Sequence, residues 1–290
     1  MNENKVILCM KNLTHIYSVD TPFEKAAIKD VTLDIMDKDF IGIIGHTGSG
    51  KSTLIQHLNA LLKPTSGNIF FDGEDIWKKG YNRRGLRFNV GMVFQYPEHQ
   101  LFEETVEKDI GFGPKNMGLG PEEIKERVFF GLHFTGLDEK ILNKSPFELS
   151  GGQKRRVAIA GIIAMKPRIL ILDEPTAGLD PRGRDEILAK IKEYHRNEKV
   201  AVVLVSHSMD EVANNAEKIL VMNNGSIEMI DSVKNVFNNS SILKNIGLNV
   251  PQITGIFFEL KKSGYDVDTS IFSIKDAAKE IERLYYKEKK

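Results

Sequence analysis

The stretch Gly45, His46, Thr47, Gly48, Ser49, Gly50, Lys51 and Ser52 has the spacing G-x-x-x-x-G-K-[ST], with the apolar run FIGII before it and the apolar-periodic TLIQHLNALL after it. Those residue types suit one chemistry. Glycines let backbone N–H groups turn inward on a polyphosphate, a lysine reaches the β- and γ-phosphates, and the Ser52 hydroxyl, with Thr53 behind it, is offered to Mg²⁺. A second stretch, RILILDEPT from Arg168 to Thr176, ends an apolar run in two adjacent carboxylates. A strand buried on both faces would deliver Asp173 and Glu174 at its C-terminal edge, where α/β sheets place their ligands. Asp173 suits a magnesium ion held through water; Glu174 suits taking a proton from an attacking water or orienting it. A merely solvated acidic loop would explain neither the apolar run nor the Lys51–Ser52 counterpart.

Phosphoryl transfer needs the γ-phosphate charge met from several sides, and a phosphate loop covers one. The stretch LSGGQ, Leu149 to Gln153, offers another. Ser150 in the N-cap position, with Gly151, Gly152 and Gln153 after it, makes a bare helix N-terminus that a ligand can approach closely. It lies far along the chain from the phosphate loop. We therefore expect it to complete a site on a second copy or a relative, in a head-to-tail dimer with nucleotide in the interface.

These motifs need an α/β framework. Strand patterns over Val6–Tyr17 and Ile28–Ile35 flank the polar turn SVDTPFEK, and SGNIFFDGEDI carries an Asp-Gly hairpin signal. Further strands are expected over Val90–Phe94, Ile169–Leu172 and Val200–Val205, with helix over Pro181–His195. Strand-helix-strand alternation argues a mostly parallel sheet with right-handed crossovers. From Tyr96 to Ser150 the signals turn helical, with Thr105 before one periodic stretch and Pro121-Glu122-Glu123 opening another, so this segment reads as an insertion in the core. KILVMNNGSIEMI is a last hairpin with an Asn-Gly turn. The expected division is an ATPase-type domain over 1–235, its helical subdomain at about 96–165, and a helical extension over 236–290 ending in KEKK.

At 290 residues with a formal net charge of zero, the chain shows no basic tail for nucleic acid. One cysteine, Cys9, and a start, MNENKVILCMKN, without a basic and then apolar leader point to a reducing, cytosolic compartment. No stretch approaches the roughly 20 apolar residues of a membrane span, so any membrane role would run through another polypeptide. The segment QYPEHQLFEETVEKDIGFGPKN, Gln95 to Asn116, interleaves Leu101, Phe102 and Val106 with polar residues. That suits gripping an apolar partner helix, or equally a small core of the insertion's own. Trp77, Arg83 and Arg84 read as surface or packing residues.

Taken together, the phosphate loop, LSGGQ, LILDEPT, Gln95 after an apolar strand, AGLD (Ala177–Asp180) and SHSMDEV with His207 resemble the ATP-binding-cassette (ABC) ATPases over roughly Lys5 to Asp231. The resemblance implies a P-loop α/β core with an antiparallel β subdomain, a helical insertion and a small C-terminal helical extension. It further implies that Gln95 couples Mg²⁺ and water to the transport partner, that Asp180 bridges two sites, that His207 contacts the γ-phosphate, and that Tyr17 stacks on adenine. YPEHQLFEETVEKDIGFGPKN and SPFELSGGQKRRVAIAGIIAM are similar to the ATPases of energy-coupling factor (ECF) importers, which include cobalt-transport ATPases, and TPFEKAAIKDVTLDI leans toward the second paralogue of shared ECF modules. Implied partners are a paralogous ATPase in a heterodimer, a transmembrane coupling protein and a small substrate-binding membrane protein, with the chain peripheral on the cytoplasmic face of the cell membrane. The C-terminal segment with VPQITGIFFEL is similar to an extension that supports ATPase pairing. The alternatives are an exporter or other ABC ATPase, or a soluble ABC ATPase acting on nucleic acid or ribosomes.

Overall fold

The structure is a computed structural model that describes residues 5–288; the first four residues, which belong to the stretch read for a leader, and the last two lysines of KEKK lie outside the described residues. Two sheets organise the chain. Strands β1 (Val6–Tyr17), β2 (Lys25–Met36), β4 (Ser66–Phe71) and β5 (Glu74–Asp75) form an antiparallel sheet in the order β2-β1-β4-β5. The second has β3 (Phe40–Ile44), β6 (Val90–Val93), β7 (Ile169–Asp173), β8 (Ala201–Val205), β9 (Lys218–Asn223) and β10 (Ser226–Ser232) in the order β10-β9-β3-β8-β7-β6. From β9 to β6 every neighbouring pair is parallel, and β10 alone runs against its neighbour.

The sequence patterns explain this division. β3, β6 and β8 are buried along their whole length, as continuous apolar runs must be when helices cover both faces of a sheet. β2 instead alternates, burying Ile28, Val31, Leu33 and Ile35 toward the core. Asp72-Gly73 and Asn224-Gly225 both take positive φ at both residues (49° and 81°, 48° and 85°), the backbone that tight hairpins demand.

Helix α1 (Lys51–Leu58) follows β3, α2 (Arg83–Asn89) precedes β6, and α6 (Pro181–Glu198) and α7 (Met209–Asn215) follow β7 and β8. Between β6 and its direct neighbour β7 the chain makes α3 (Val106–Asn116), α4 (Pro121–Phe134) and α5 (Gly151–Ala164). The excursion leaves and re-enters adjacent strands, which is the geometry of an insertion. α8 (Val233–Asn238), α9 (Ser240–Asn245), α10 (Gln252–Lys262) and α11 (Ile274–Glu288) close the chain.

Several bounds differ from expectation. β2 begins at Lys25, paired with Tyr17, three residues before the apolar pattern starts, because backbone pairing with β1 does not need buried side chains. α1 stops at Leu58 although apolar periodicity runs on to Leu62: Asn59 donates its side-chain amide to the Val90 carbonyl and Ala60 takes a left-handed φ of 53°. α8 straddles the expected boundary at 235, with Val236 and Phe237 buried against Ile44 and Val221 of the core sheet. Farther along, Phe257, Val267, Ile271 and Ala277 form a separate small cluster.

Candidate active site

The phosphate loop turns from β3 into α1. Gly50 is the N-cap at φ 104°, with no side chain capping the helix, and a Cβ there would lie 2.5 Å from the Ala27 carbonyl oxygen, so only glycine fits. The first N–H groups of α1 therefore remain for an anion, with the helix dipole behind them. Lys51 is buried and its ammonium donates to two backbone carbonyls, Gly45 O at 2.7 Å and His46 O at 3.1 Å, rather than to a carboxylate. Burial pushes its pKa down, against the upward pull of Glu174 and Asp173. The buried Ser49 hydroxyl has no hydrogen-bond partner among the described residues. A half-satisfied buried cation, an orphan hydroxyl and an uncapped helix fit a polyphosphate. The loop is braced by the Asn224-Gly225 turn, where Gly225 N–H donates to Ser49 O at 3.0 Å and Asn223 Oδ1 lies 3.3 Å from His46 Nε2.

Asp173 and Glu174 do emerge at the end of β7. Burial, reinforced by the neighbouring Glu174 charge, raises the Asp173 pKa, while Lys51 and the Ser52 hydroxyl beside it pull the other way. Among the described residues no group of three or more His, Cys, Asp and Glu is placed to hold a metal. A cation here would lean on Ser52, Asp173 and the nucleotide's own phosphates, the sparse donor set that Mg²⁺ tolerates. An aspartate whose charge is disfavoured costs stability until a cation compensates it. Asp173→Asn is accordingly expected to raise the melting temperature of the ligand-free chain by roughly 2 °C while removing its extra stabilisation by magnesium with ATP. Because the folded pKa lies above the unfolded one, the destabilisation is absent below the ordinary value of 3.8 and develops as pH rises through the carboxylate range, so the variant's advantage should grow with it. Calorimetry at several pH values would test this; equal melting temperatures at neutral pH would refute it.

Glu174 sits at φ 49°, a left-handed backbone that costs a non-glycine residue on the order of 1 kcal/mol and that surrounding structure must enforce. Both its oxygens are held: Gln95 Nε2 donates to Oε2 at 2.9 Å, and His207 Nε2 donates to Oε1 at 2.7 Å. Glu211, buried in α7, ties the two sides together by accepting from Thr176 Oγ1 at 2.9 Å and from Ser206 Oγ at 2.7 Å. Its presence in SHSMDEV was the only sequence signal for this role.

A cleft of about 470 Å³ joins these groups, lined by Tyr17, Lys25, Ala27, Thr47, Gly48, Gly50, Lys51, Ser52, Thr53, Gln95, Glu174 and His207. Tyr17 is 39 % exposed there, so its ring is not taken up by the core. Its hydroxyl lies 3.2 Å from Thr53 Oγ1 and its ring meets His15 edge-on at 4.5 Å. His57 supports this corner from beneath: a carbonyl only accepts, so His57 Nδ1 donates to Thr53 O at 2.7 Å and its Nε2 faces His15 Nδ1 at 3.2 Å. Burial pushes the His57 pKa down to about 4, which keeps it neutral. Lys25, Ala27 and this histidine pair had no motif to mark them.

Ser150, Gly151, Gly152, Gln153 and Asp180 do not line the cleft. Ser150 and Gln153 close a capping box at the start of α5: Gln153 N–H donates to Ser150 Oγ at 3.3 Å and Ser150 N–H donates to Gln153 Oε1 at 3.1 Å. Asp180 caps α6 by accepting from Gly183 N–H at 2.7 Å. A Cβ on Gly151 or Gly152 would meet nothing within 4 Å, so this helix end faces open space. The segment after Gln95 divides: Leu101 and Val106 are buried in the insertion's own core, whereas Phe102 is 59 % exposed. With Phe112, whose ring it meets edge-on at 4.9 Å, Phe102 lines a groove of about 350 Å³ together with Gln100, Asp109, Ala158 and Met165. Arg83 lies over the Trp77 ring at 5.1 Å and Arg84 donates to Asn116 Oδ1 at 2.9 Å, packing roles in both cases.

A phosphate loop in a parallel sheet, a strand ending in paired carboxylates and an antiparallel flank define an ABC-type ATPase cassette, and the family model described as ABC transporter matches residues 28–177. Two solved structures share the fold: cbiO1 from Clostridium perfringens, described as part of the ABC transporter complex cbiONQ (TM-score 0.74, 38 % identity, 89 % of this chain and 100 % of that one), and the dimeric ATP-binding cassette MJ0796 bound to ADP and Pi (TM-score 0.69, 29 % identity, 78 % of this chain and 98 % of that one). Curated relatives named energy-coupling factor transporter ATP-binding protein EcfA2 are 55 % identical in Clostridium tetani, over 95 % of this chain and 96 % of theirs, and 54 % identical in Clostridioides difficile, over 94 % and 96 %. The chain belongs to the family of energy-coupling factor transporter ATP-binding proteins, and it is an ATP-binding ATPase subunit.

Proposed function

We propose that this chain supplies the ATP-driven stroke of an ECF-type importer, pairing head to tail with a paralogous ATPase and acting on a transmembrane coupling protein that carries a small substrate-binding membrane protein. Its cargo would be a vitamin or another micronutrient selected by that last component. The carrying observation is the split of the machinery: the phosphate loop, Glu174, Gln95 and His207 share one cleft, while Ser150 to Gln153 face open space elsewhere. One chain thus holds half of each of two sites, and closure of a dimer would complete both. Within the cleft, Lys51 and the α1 N-terminus would hold the phosphates, Ser52 and Asp173 would hold Mg²⁺, and Tyr17 would stack on adenine. When bound, Mg²⁺ neutralises phosphate charge. Glu174 would accept the proton of the attacking water, with Gln95 and His207 fixing its carboxylate. His207 is expected to turn from Glu174 toward the γ-phosphate as the dimer closes.

No described helix is long and apolar enough to cross a membrane. Membrane contact would run through the Phe102–Phe112 groove, which suits a short amphipathic helix of the coupling protein, leaving the subunit peripheral on the cytoplasmic face. Purification of the tagged chain from gently solubilised native membranes should recover a second ABC ATPase, a multi-span protein and a small membrane protein. Phe102→Glu should keep the ATPase and lose the membrane proteins. Recovery of ribosomal or DNA-bound material alone would overturn the transport reading.

A further inference from the structure

Gln95 and Glu174 meet side chain to side chain, and a second route joins them through a buried cation. Glu98, just beyond Gln95, is gripped by Arg155 of α5, with Nε donating to Oε2 and Nη2 to Oε1, both at 3.0 Å. The same guanidinium donates through Nη1 to the Ala177 carbonyl. Ala177 N–H donates to the Glu174 carbonyl at 3.1 Å, closing the tight turn that carries the strained Glu174. A circuit therefore runs from Gln95 to Glu98, Arg155, Ala177, Glu174 and back.

Arg155 is 3 % exposed and uses all three of its guanidinium nitrogens on this circuit. It joins three segments that the mechanism treats separately: the stretch from Gln95 to the groove at Phe102, the first turns of the helix opened by Ser150, and the turn leading to Asp180. A guanidinium fork is planar and rigid, so it cannot follow Glu98 to a new place and keep Ala177 where it was. We infer that Arg155 is a positioning residue which sets the backbone of Glu174 and passes to it any displacement of the groove segment.

The inference rests on the reading of Glu174 as proton acceptor, and the experiment separates the two. Arg155→Met, Arg155→Lys and the pair Glu98→Leu with Arg155→Met are compared in the complex purified through this chain. Arg155→Met should lower kcat for ATP on the order of 10- to 100-fold, the scale of a small misplacement of a catalytic group, while KM and ATP binding stay within about twofold. Arg155→Lys keeps the charge but not the fork and should recover little of the rate. The paired variant leaves no unpaired buried charge, so it should melt with the wild type and still show the low kcat. A paired variant with wild-type kcat, or one in which only KM changes, overturns the inference. Glu174→Gln is run alongside: wild-type hydrolysis by that variant would sink the reading of Glu174, whereas an inactive Glu174→Gln beside fully active Arg155 variants would sink the role of Arg155 alone.

Discussion

Glu174→Gln is expected to lower hydrolysis on the order of 10²- to 10⁴-fold without weakening ATP binding, and to leave a dimer that closes on ATP and stays closed. The amide has the volume of the carboxylate and keeps one oxygen for Gln95 or His207, which now hold Oε2 and Oε1 at 2.9 and 2.7 Å. It has no useful proton affinity. On the proposed assignment binding would rely on Lys51, the phosphate loop and the start of α1, whose hydrogen bonds do not involve Glu174, so the chemical step should be lost while closure survives. Single-turnover hydrolysis together with size-exclusion chromatography in magnesium and ATP would measure both halves. A rate near the wild type would remove Glu174 from the role of proton acceptor.

The second large effect is expected from Gly152→Trp. A side chain added at this position meets no atom of its own chain within 4 Å, so folding stability should move by no more than about 0.5 kcal/mol, as for other surface substitutions. Nucleotide affinity of the isolated chain should be unchanged, because the cleft is lined by residues from other segments. On the proposed pairing the bulk would instead stand where a neighbour's phosphates would approach, and hydrolysis that depends on closure should fall at least a hundredfold, the scale seen when a group stabilising transition-state charge is lost. Equilibrium binding of a fluorescent ATP analogue to the isolated chain decides the matter: if the variant no longer binds, the glycine serves its own chain's site and the two-chain arrangement is wrong.

Much of this was readable before any coordinates. Apolar runs long enough only for strands, glycine-rich turns at their ends and carboxylates at the edge of β7 fix the core, because the sheet has few ways to bury such runs. Gln95, His207 and Glu174 lie far apart in sequence, yet parallel strands of one sheet must bring their C-terminal ends to one side. What stayed hidden depends on contacts with no local pattern. Periodicity could not tell that Val106 turns inward while Phe102 stays out, since both suit an apolar neighbour of either kind. Arg155 sits in a run of basic residues that resembles a solvated helix face, and its partner Glu98 is 57 residues away. The end of α1 has no local mark, because it is set by the bond from Asn59 to Val90 of β6, 31 residues away.

The capping box at the start of α5 has a consequence of its own. Ser150 and Gln153 already satisfy one another and two N–H groups at the start of the helix, so under the proposed head-to-tail pairing the surface offered to the neighbour's phosphate would come with an occupant built in. On the proposed pairing, an incoming γ-phosphate would compete with that internal cap, and a cap of this kind is worth about 1 kcal/mol, or roughly a fivefold handicap on association. Loss of the phosphate would let the cap re-form and would favour parting of the subunits. The same four residues would then serve as latch and as spring, and a dimer held by them would be tight only while the nucleotide is intact.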